Sequence, residues 1–388
     1  MKHDYDVVVV GAGIHGAGAA QAAAAGGYSV LVLEQCKDPA QGTSGKSSKL
    51  IHGGLRYLET GQFHLVHECL RERANLLRNA PHLVRLVPFY IPVYRETTRR
   101  PWKIMAGLSV YSLFSRKPFR RVPRSQWSQL DGINTRHLDA VFSYYDAQTD
   151  DAQLTCSVLA SAQALGAEVH TGAGFESSRL VGGGCEITYK MAAESKKVSA
   201  RVLINTAGPW VNDVLQHIEP VPKMMDIALV QGAHIIVPGD VSNPFYLESL
   251  QDQRAVYVIP WKGQVLVGTT ENDYSGDPAK VVPLESEIAY LLDVYNHYFV
   301  QDLKRHDVVE AFAGLRVLPG GGGTIFKKSR DTHLFVDRKK SPRVLTVYGG
   351  KLTSYRATSE KVMKRIKKSL PIRKEIADTK YLQLPEVK

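Results

Sequence analysis

The stretch VVVVGAGIHGAGAAQAAAAGGYSVLVLE, residues 7–34, decides the fold of this 388-residue chain. An apolar run leads into Gly11-x-Gly13-x-x-Gly16, an alanine-rich stretch follows, and a second apolar run ends at Glu34. That order predicts strand, glycine turn, helix, strand and acid, which is the pattern of a dinucleotide-binding βαβ unit. Gly11 permits the turn, and Gly13 lets a pyrophosphate approach the N–H groups of the helix N-terminus. We expect Glu34 to accept hydrogen bonds from a ribose.

Composition places the chain among globular proteins without a disulfide framework. Hydrophobic residues make up 44% of it, and its length predicts two or three domains. The four cysteines are scattered without CxxC spacing, and no HExxH sequence occurs. This pattern favours a reducing compartment and predicts no metal site. Because the sequence shows neither a secretory signal nor a run of about 20 apolar residues, we expect a cytoplasmic protein without a membrane span.

The net charge of +11 is concentrated in two segments. Residues 95–124 carry nine basic side chains against Glu96 alone, and residues 361–374 carry seven and no acidic residue. The rest of the chain is therefore mildly acidic, and the basicity is local. Local basicity indicates a partner at the surface of the protein.

A short apolar helix is predicted inside the first basic segment. Residues 102–114, WKIMAGLSVYSLF, follow Pro101, which is a favoured first helical residue. The stretch is apolar nearly all round and too short to cross a bilayer. One interpretation is a buried helix with a solvated basic rim. The other is a peripheral site on the cytoplasmic face of the cell membrane, with Trp102, Tyr111 and Phe114 at the interface and basic residues near anionic headgroups.

Later segments add motifs that are more specific than the opening glycines. In chain order they are SSKLIHGGLRYLE (47–59), TAGPW (206–210), QGAHIIVP (231–238), VIPW (258–261), VGTTE (267–271), GLRVLP (314–319), SRDTHL (329–334) and YGGKLTSYR (348–356). Together they resemble the FAD-dependent glycerol-3-phosphate dehydrogenases, within the D-amino-acid-oxidase-type flavoproteins. The resemblance covers almost the whole chain. Members of that family carry a further helical domain after the last motif, which we expect this short form to lack.

The resemblance implies an α/β fold of the glutathione-reductase type. A discontinuous FAD-binding Rossmann domain would comprise residues 1–90, 145–215 and 335–388. A mainly antiparallel α+β substrate domain, residues 91–144 and 216–334, would be inserted into it.

The resemblance also implies a cofactor site for FAD. Glycines at its pyrophosphate, the acid at its ribose and three later segments along its phosphates and flavin would form that site. The residues are Gly11, Gly13, Gly16, Glu34, Thr43, Ser44, Ser48, Lys49, His52, Gly53, Gly54, Leu55, Ala207, Gly208, Trp210, Gly349, Gly350, Leu352 and Thr353. Gly53 and Gly54 suit backbone that runs against a flat ring. Gly349 and Gly350 are expected to open the last helix, whose N-terminus would face the flavin.

The implied substrate is a small phosphorylated polyol, and arginines suit a phosphate dianion best. Residues assigned to its binding are Arg56, Tyr57, Thr270, Arg330 and Lys351. The implied catalytic residues are His234, as the base that takes the hydroxyl proton, and Arg316, near the reacting oxygen. Periodicity alone favours a core histidine at position 234, and it is the resemblance that suggests the catalytic role. His52, His170 and His297 are weaker candidates for the base.

The expected reaction is oxidation of sn-glycerol 3-phosphate to dihydroxyacetone phosphate by hydride transfer to flavin N5. A quinone or another acceptor would receive the electrons. One alternative is an oxidase or dehydrogenase of an amino acid or 2-hydroxy acid, which needs a carboxylate clamp. A second is an RNA-modifying flavoprotein. No nucleic-acid partner is expected, because the basic segments lack aromatic residues interleaved for base stacking in a recognised nucleic-acid-binding module. The oligomeric state stays open.

Overall fold

The computed structural model describes residues 3–59, 61–321 and 331–387, and of Arg56 only the backbone. Its helices are α1 (Ile14–Ala25), α2 (Arg56–Glu59), α3 (Phe63–Asn79), α4 (Pro101–Ser115), α5 (Asp151–Ala164), α6 (Val211–Gln216), α7 (Glu285–Tyr298) and α8 (Tyr355–Ile366). Its strands are β1 (Tyr5–Val10), β2 (Val30–Glu34), β3 (Leu50–Ile51), β4 (Arg85–Tyr94), β5 (Arg120–Arg121), β6 (Leu138–Gln148), β7 (Glu168–Thr171), β8 (Ala173–Val181), β9 (Gly184–Met191), β10 (Glu194–Asn205), β11 (Ile218–Glu219), β12 (Ile227–Val237), β13 (Phe245–Glu248), β14 (Ala255–Trp261), β15 (Gln264–Gly268), β16 (Asn272–Tyr274), β17 (Glu310–Pro319), β18 (His333–Val336) and β19 (Val344–Tyr348).

A parallel sheet is assembled from the beginning, middle and end of the chain. Strand β1 pairs in parallel with β2 and β10, while β7 adds to β2 and β19 adds to β10. The first half of β10 pairs with β9 in an antiparallel arrangement, and β9 continues to β8. Because these parallel strands point the same way, their carboxyl ends meet at one edge of the sheet, where ligands bind in such folds.

The glycine turn brings α1 close to that edge. Gly11 has φ +97°, and a Cβ added there would lie 2.8 Å from the carbonyl oxygen of Thr206. A Cβ on Gly16 would lie 1.8 Å from the carbonyl oxygen of Gly11, so only glycine lets the helix approach the turn. Helix α1 therefore begins at Ile14, directly above the turn, with its N-terminus at the carboxyl edge of the sheet.

Helices cover one face of this parallel sheet. Alanines of α1 pack with residues of α5, α8 and the strands in one apolar core, which includes Val9, Leu154 and Val362. A second core on the opposite face includes Leu31, Tyr189 and Leu215. The predicted α/β fold is thus confirmed, and residues 7–10 of β1 and 30–33 of β2 are apolar because both faces of these strands are buried.

A second sheet is built mainly from antiparallel strands of the intervening segments. Its order is β16-β12-β15-β14-β13-β4-β6-β3, with β17 beside β12 and β5 beside β6. Helix α7 packs on one face, and α4 packs on β6 at the other. The fold expected from the resemblance is therefore present, whereas the exact domain boundaries stay a prediction.

The helices predicted after the glycine turn and in residues 102–114 are present as α1 and α4, and one expectation about the last helix is wrong. Gly349 and Gly350 do not open the last helix, because α8 begins five residues later, at Tyr355. Both glycines have positive φ, +65° and +109°, which is incompatible with a right-handed helix. The glycine pair instead forms a turn between β19 and α8.

Close packing of α1 against α8 generates a stability prediction. A Cβ on Gly18 would lie 2.6 Å from both Tyr355 Cδ2 and Ser359 Oγ. We expect Gly18→Ala to lower the free energy of unfolding by about 1–3 kcal/mol through overpacking, measured by chemical denaturation. Gly107→Ala in α4 is the matched control, because a Cβ there meets nothing within 4 Å. It should be neutral or slightly stabilising, and equal losses in both variants would contradict the packing argument.

Candidate active site

One elongated cavity, about 410 Å³ in volume, lies at the carboxyl edge of the parallel sheet and extends to the second sheet. Fifteen of the residues assigned to FAD from the sequence line it. They are Gly11, Gly13, Glu34, Thr43, Ser44, Ser48, His52, Gly54, Ala207, Gly208, Trp210, Gly349, Gly350, Leu352 and Thr353. The segments that the sequence scatters over 340 residues are therefore brought together in one place.

The N-terminus of α1 forms one part of the cavity wall. The N–H of Ile14 donates to Ser44 Oγ at 2.9 Å, and the first turn of α1 contains no acidic residue to neutralise the helix dipole. His15 also lines this region, and burial lowers its pKa to about 4, so its ring is neutral at pH 7. Its Nδ1 atom is buried without a hydrogen-bond partner among the described residues. This wall therefore suits an anionic group such as a pyrophosphate.

Glu34 lies at the end of β2 with both carboxylate oxygens held in place. Oε2 accepts a hydrogen bond from the N–H of Ala12 at 2.7 Å, and Oε1 accepts one from the N–H of Cys36 at 2.9 Å. The residue is buried but still lines the cavity. Since each carboxylate oxygen has a second lone pair, Glu34 can also accept a hydrogen bond from a ribose hydroxyl.

Two cationic side chains, Lys351 and Arg316, also line the cavity. Lys351 Nζ is buried, has no hydrogen-bond partner among the described residues, and lies 4.1 Å from the centre of the Tyr57 ring. Arg316 reaches the same cavity, where its guanidinium contacts Thr269 Oγ1 at 3.3 Å and Glu271 Oε1 at 3.9 Å. A buried ammonium without a carboxylate partner is costly, and a bound anion would offset that cost.

Six predicted site residues are not among the described residues that line the cavity: Gly16, Lys49, Gly53, Leu55, His234 and Thr270. Gly16 packs α1 on the turn, as described above. Lys49 forms a buried ion pair with Asp151, with Nζ 2.6 Å from Oδ1. The Thr270 hydroxyl donates a hydrogen bond to Glu287 and accepts one from the N–H of Ala233. These contacts hold the wall together behind the cavity.

His234 is enclosed in the core, so the geometry does not favour it as the base. Its side chain is only 2% exposed, and its ring stacks on Phe312 with the centroids 5.1 Å apart. Burial, together with the charges of Arg316 and Lys49, lowers its pKa to about 3. Its Nε2 lies 2.9 Å from Ser48 Oγ, which does line the cavity.

Of the other histidine candidates only His52 lies at the cavity. Its backbone N–H donates to Thr353 Oγ1 at 3.3 Å. Its ring centroid lies 6.4 Å from that of Tyr257, another lining residue. His170 pairs with Glu168 on β7, and His297 packs against Tyr298 on α7. Both of these lie outside the cavity lining.

Two predicted substrate ligands lie beyond what the structure describes. The Arg56 side chain is outside the described atoms, and Arg330 is outside the described residues. Among the described residues, no group of three or more His, Cys, Asp or Glu side chains could hold a metal ion. No described helix is long and apolar enough to cross a bilayer.

Sequence reasoning left several lining residues unassigned, and four of them are His15, Arg254, Thr269 and Glu271. Three of these four residues are sequence neighbours of assigned residues: His15, Thr269 and Glu271. For Thr269 and Glu271, strand geometry could have indicated that they face the cavity instead of Thr270. In an extended chain Thr269 and Thr270 point to opposite sides, so only one can reach the cavity. Arg254, whose guanidinium donates to the carbonyl of Glu271 at 2.6 Å, gave no sequence signal.

Comparisons with known proteins agree with this architecture. The model of the family described as DAO, FAD dependent oxidoreductase, matches residues 6–356. A glycerol-3-phosphate dehydrogenase of Pseudomonas aeruginosa is 40% identical over 93% of this chain and 71% of its own length. A D-erythritol 1-phosphate dehydrogenase of Brucella abortus is 37% identical over 94% of this chain and 74% of its own length. In fold, the chain is similar to a Bacillus halodurans glycerol-3-phosphate dehydrogenase solved with FAD, at a TM-score of 0.77 and 24% identity, over 98% of this chain and 67% of that one.

The fold and the cavity define a flavoprotein oxidoreductase of the two-sheet type. The chain belongs to the FAD-dependent oxidoreductase (DAO) family, and its cofactor is FAD. Within that family it groups with dehydrogenases whose names specify phosphorylated polyols. The residues present fit the cofactor. The glycine turn and the α1 N-terminus provide a pyrophosphate site, and Glu34 provides a ribose site in the same cavity.

The locked position of Glu34 generates a prediction for cofactor binding. Glu34→Ala removes both the ribose acceptor and the anchor of the Ala12 N–H, so we expect FAD affinity to fall at least roughly tenfold, which is about 1.4 kcal/mol. The measurement is FAD retention and fluorescence titration of the apoprotein. Glu186→Ala, which removes an exposed partner of Arg179 on β9, is the control and should bind FAD normally. Unchanged affinity in Glu34→Ala would contradict the assigned ribose site.

Proposed function

We propose that this protein oxidises sn-glycerol 3-phosphate to dihydroxyacetone phosphate with FAD as its resident cofactor. The single observation that carries the proposal is the buried Lys351 ammonium, which lies over the Tyr57 ring in the same cavity that Arg316 lines and has no anionic partner among the described residues. A phosphate monoester supplies the anion that this group lacks. The names of the two curated relatives support the same substrate class.

Lys351, Arg316 and Tyr57 each have a distinct task in this proposal. Lys351 and Arg316 bind the phosphate or the oxygen that becomes the ketone, and Tyr57 supports the ammonium through its ring face. Arg56 and Arg330 stay proposed phosphate ligands on the strength of their motifs. Bound FAD supplies the acceptor for the hydride that leaves C2 of the substrate.

The proton of the substrate hydroxyl needs a base within the cavity. His52 meets that requirement because it lines the cavity, whereas His234 lies behind Ser48 in the core. We therefore assign the proton to His52 and give His234 the task of orienting the Ser48 hydroxyl. Proton transfer to a positioned imidazole is the usual solution in such reactions.

A substrate panel tests the reaction. Purified holoprotein is mixed anaerobically with sn-glycerol 3-phosphate, D-erythritol 1-phosphate, glycerol, an amino acid and a 2-hydroxy acid, and loss of the flavin absorbance band is followed. We expect sn-glycerol 3-phosphate to reduce the flavin fastest and glycerol to fail at the same concentration. Faster reduction by erythritol phosphate would change the assigned polyol, and reduction by an amino or hydroxy acid would replace the proposal.

Two substitutions test the anion site. Lys351→Met and Arg316→Ala each remove a charged donor, and hydrogen bonds to charged groups contribute about 1.5–3 kcal/mol. We expect kcat/KM for sn-glycerol 3-phosphate to fall roughly ten- to hundredfold while FAD stays bound. Lys364→Met, an exposed lysine on α8, is the control. Wild-type kcat/KM in both test variants would place the phosphate elsewhere.

We further propose that α4 lies on an anionic membrane surface on the cytoplasmic side. Several outward side chains of α4 are large and apolar, with Trp102 63% and Leu113 76% exposed and Met105 half-exposed. Exposed basic residues follow the helix directly: Arg116, Lys117, Arg120 and Arg121. An apolar face with a basic rim matches an anionic lipid surface and provides the two signals that peripheral binding needs. A quinone dissolved in that membrane is the acceptor we propose.

Two sequence expectations about α4 need correction here. Tyr111 is not available at the interface, because it is 1% exposed and bonded inside the protein. The helix is also not wholly buried, because only Ile104, Leu108 and Tyr111 of its residues are buried. Phe114 is half-buried and packs near Phe63, so the large apolar side chains that face outward are Trp102, Met105, Val110 and Leu113.

Co-sedimentation with vesicles tests the membrane proposal. We expect the wild type to bind vesicles containing anionic phospholipid at low salt and to dissociate as salt rises, at about 1 kcal/mol for each basic residue near the surface. Replacement of Arg116, Lys117, Arg120 and Arg121 with Gln should abolish binding. The control variant replaces Lys367 and Lys368 with Gln, in the other basic segment. Equal binding by both variants, or none by the wild type, would contradict the proposal.

A further inference from the structure

A buried polar cluster lies directly behind the cavity wall, beneath α4. The Tyr111 hydroxyl donates to Asp146 Oδ2 at 2.7 Å and accepts a hydrogen bond from the N–H of Gly53 at 2.9 Å. Asp146 Oδ1 in turn accepts from Arg73 Nη1 at 2.5 Å and lies 3.3 Å from the same Gly53 nitrogen. Four separate segments, α3, α4, β6 and the chain after β3, therefore meet in one cluster, in which Tyr111 and Asp146 lie at the Gly53 N–H group.

The cluster is fully enclosed, which makes its geometry demanding. The side chains of Arg73 and Asp146 are 4% and 2% exposed, and Tyr111 is buried as well. Burial raises the pKa of Tyr111 well above its usual value, so the hydroxyl keeps its proton at every working pH. A buried ionic cluster contributes little net stability compared with apolar residues of the same shape, and its best-attested use is to specify one arrangement.

What the cluster fixes is the segment His52–Gly54. His52 and Gly54 line the cavity, and Gly53 lies between them with its N–H turned toward Tyr111. A Cβ on Gly53 would lie 2.4 Å from the Tyr111 hydroxyl and 2.5 Å from Leu70 Cδ2. The wall is thus one backbone thick, with the cavity on one side and the Tyr111 hydroxyl on the other.

We propose that Tyr111 is a positioning residue for the oxidation, holding His52 and Gly54 at the distance from bound FAD and substrate that the reaction needs. It acts through the Gly53 N–H and touches neither substrate nor cofactor. The effect on the reduction rate rests on the proposed function, whereas the effect on the position of residues 52–54 does not. Displacements of about 1 Å in a reactive wall are enough to lower a rate strongly without changing ground-state binding.

The test is Tyr111→Phe, which removes one hydroxyl and keeps the ring. Tyr298→Phe is the matched control, because Tyr298 is equally buried and donates its hydroxyl to the carbonyl of Glu248, away from the cavity. We expect anaerobic single-turnover reduction by sn-glycerol 3-phosphate to slow about tenfold in Tyr111→Phe, with FAD affinity and substrate Kd within twofold of wild type. Tyr298→Phe should reduce at the wild-type rate.

Hydrogen exchange provides a readout that does not depend on the substrate. Amide exchange of a peptide covering residues 50–58 should accelerate about tenfold in the Tyr111→Phe holoprotein, while a peptide covering β12 should be unchanged. Unchanged exchange at 50–58, or a reduction rate within twofold of wild type, would overturn the inference. If the exchange changes but sn-glycerol 3-phosphate does not reduce the wild type, the proposed function fails and the positioning contact stands.

Discussion

The cavity depends on the parallel pairing of β1 with β10, two strands that are nearly 200 residues apart in the chain. Val9 is opposite Ile204 and Val10 is opposite Asn205, so both strands end at the same level. Thr206 then donates both its N–H and its hydroxyl to the carbonyl of Val10. This pairing places the segment after β10 beside the glycine turn, and the same logic brings the turn after β19 to the same edge through β10.

The electrostatics of the cavity follow from that edge. The N-terminus of α1 contributes a partial positive charge, and Lys351 adds a full one in the turn that follows β19. Lys351 is held there by the ring of Tyr57 rather than by a carboxylate, which leaves its charge for a ligand. By contrast, the basic groups behind the wall are neutralised: Lys49 pairs with Asp151, and Arg73 pairs with Asp146. Of these three basic side chains, Lys351 is the one without a carboxylate partner among the described residues, and it lines the cavity.

The parts of the site that the sequence could predict are those determined locally. The glycine turn, α1 and the acid occupy 28 consecutive residues, and their spacing alone defines the unit. Which side chains face the cavity was harder to predict, because side-chain direction depends on partners far away in the chain. Thr270 turns toward Glu287 on α7, and His234 is enclosed by Phe312 on β17. In α4 the apolar residues surround the whole helix, so no apolar stripe indicated that Tyr111 would face inward.

The glycines at 53 and 54 show how one sequence signal can have two physical causes. Their presence was interpreted as room for a flat ring, and Gly54 does line the cavity. However, a Cβ on Gly53 would strike the Tyr111 hydroxyl, and one on Gly54 would lie 2.1 Å from the Tyr57 ring. Behind the wall, the Tyr111 hydroxyl leaves no room for a side chain at position 53, and Tyr57, which itself lines the cavity, leaves none at position 54. Tyrosines of α4 and α2 therefore require glycine at these two positions, whether or not a flat ring also lies against this backbone.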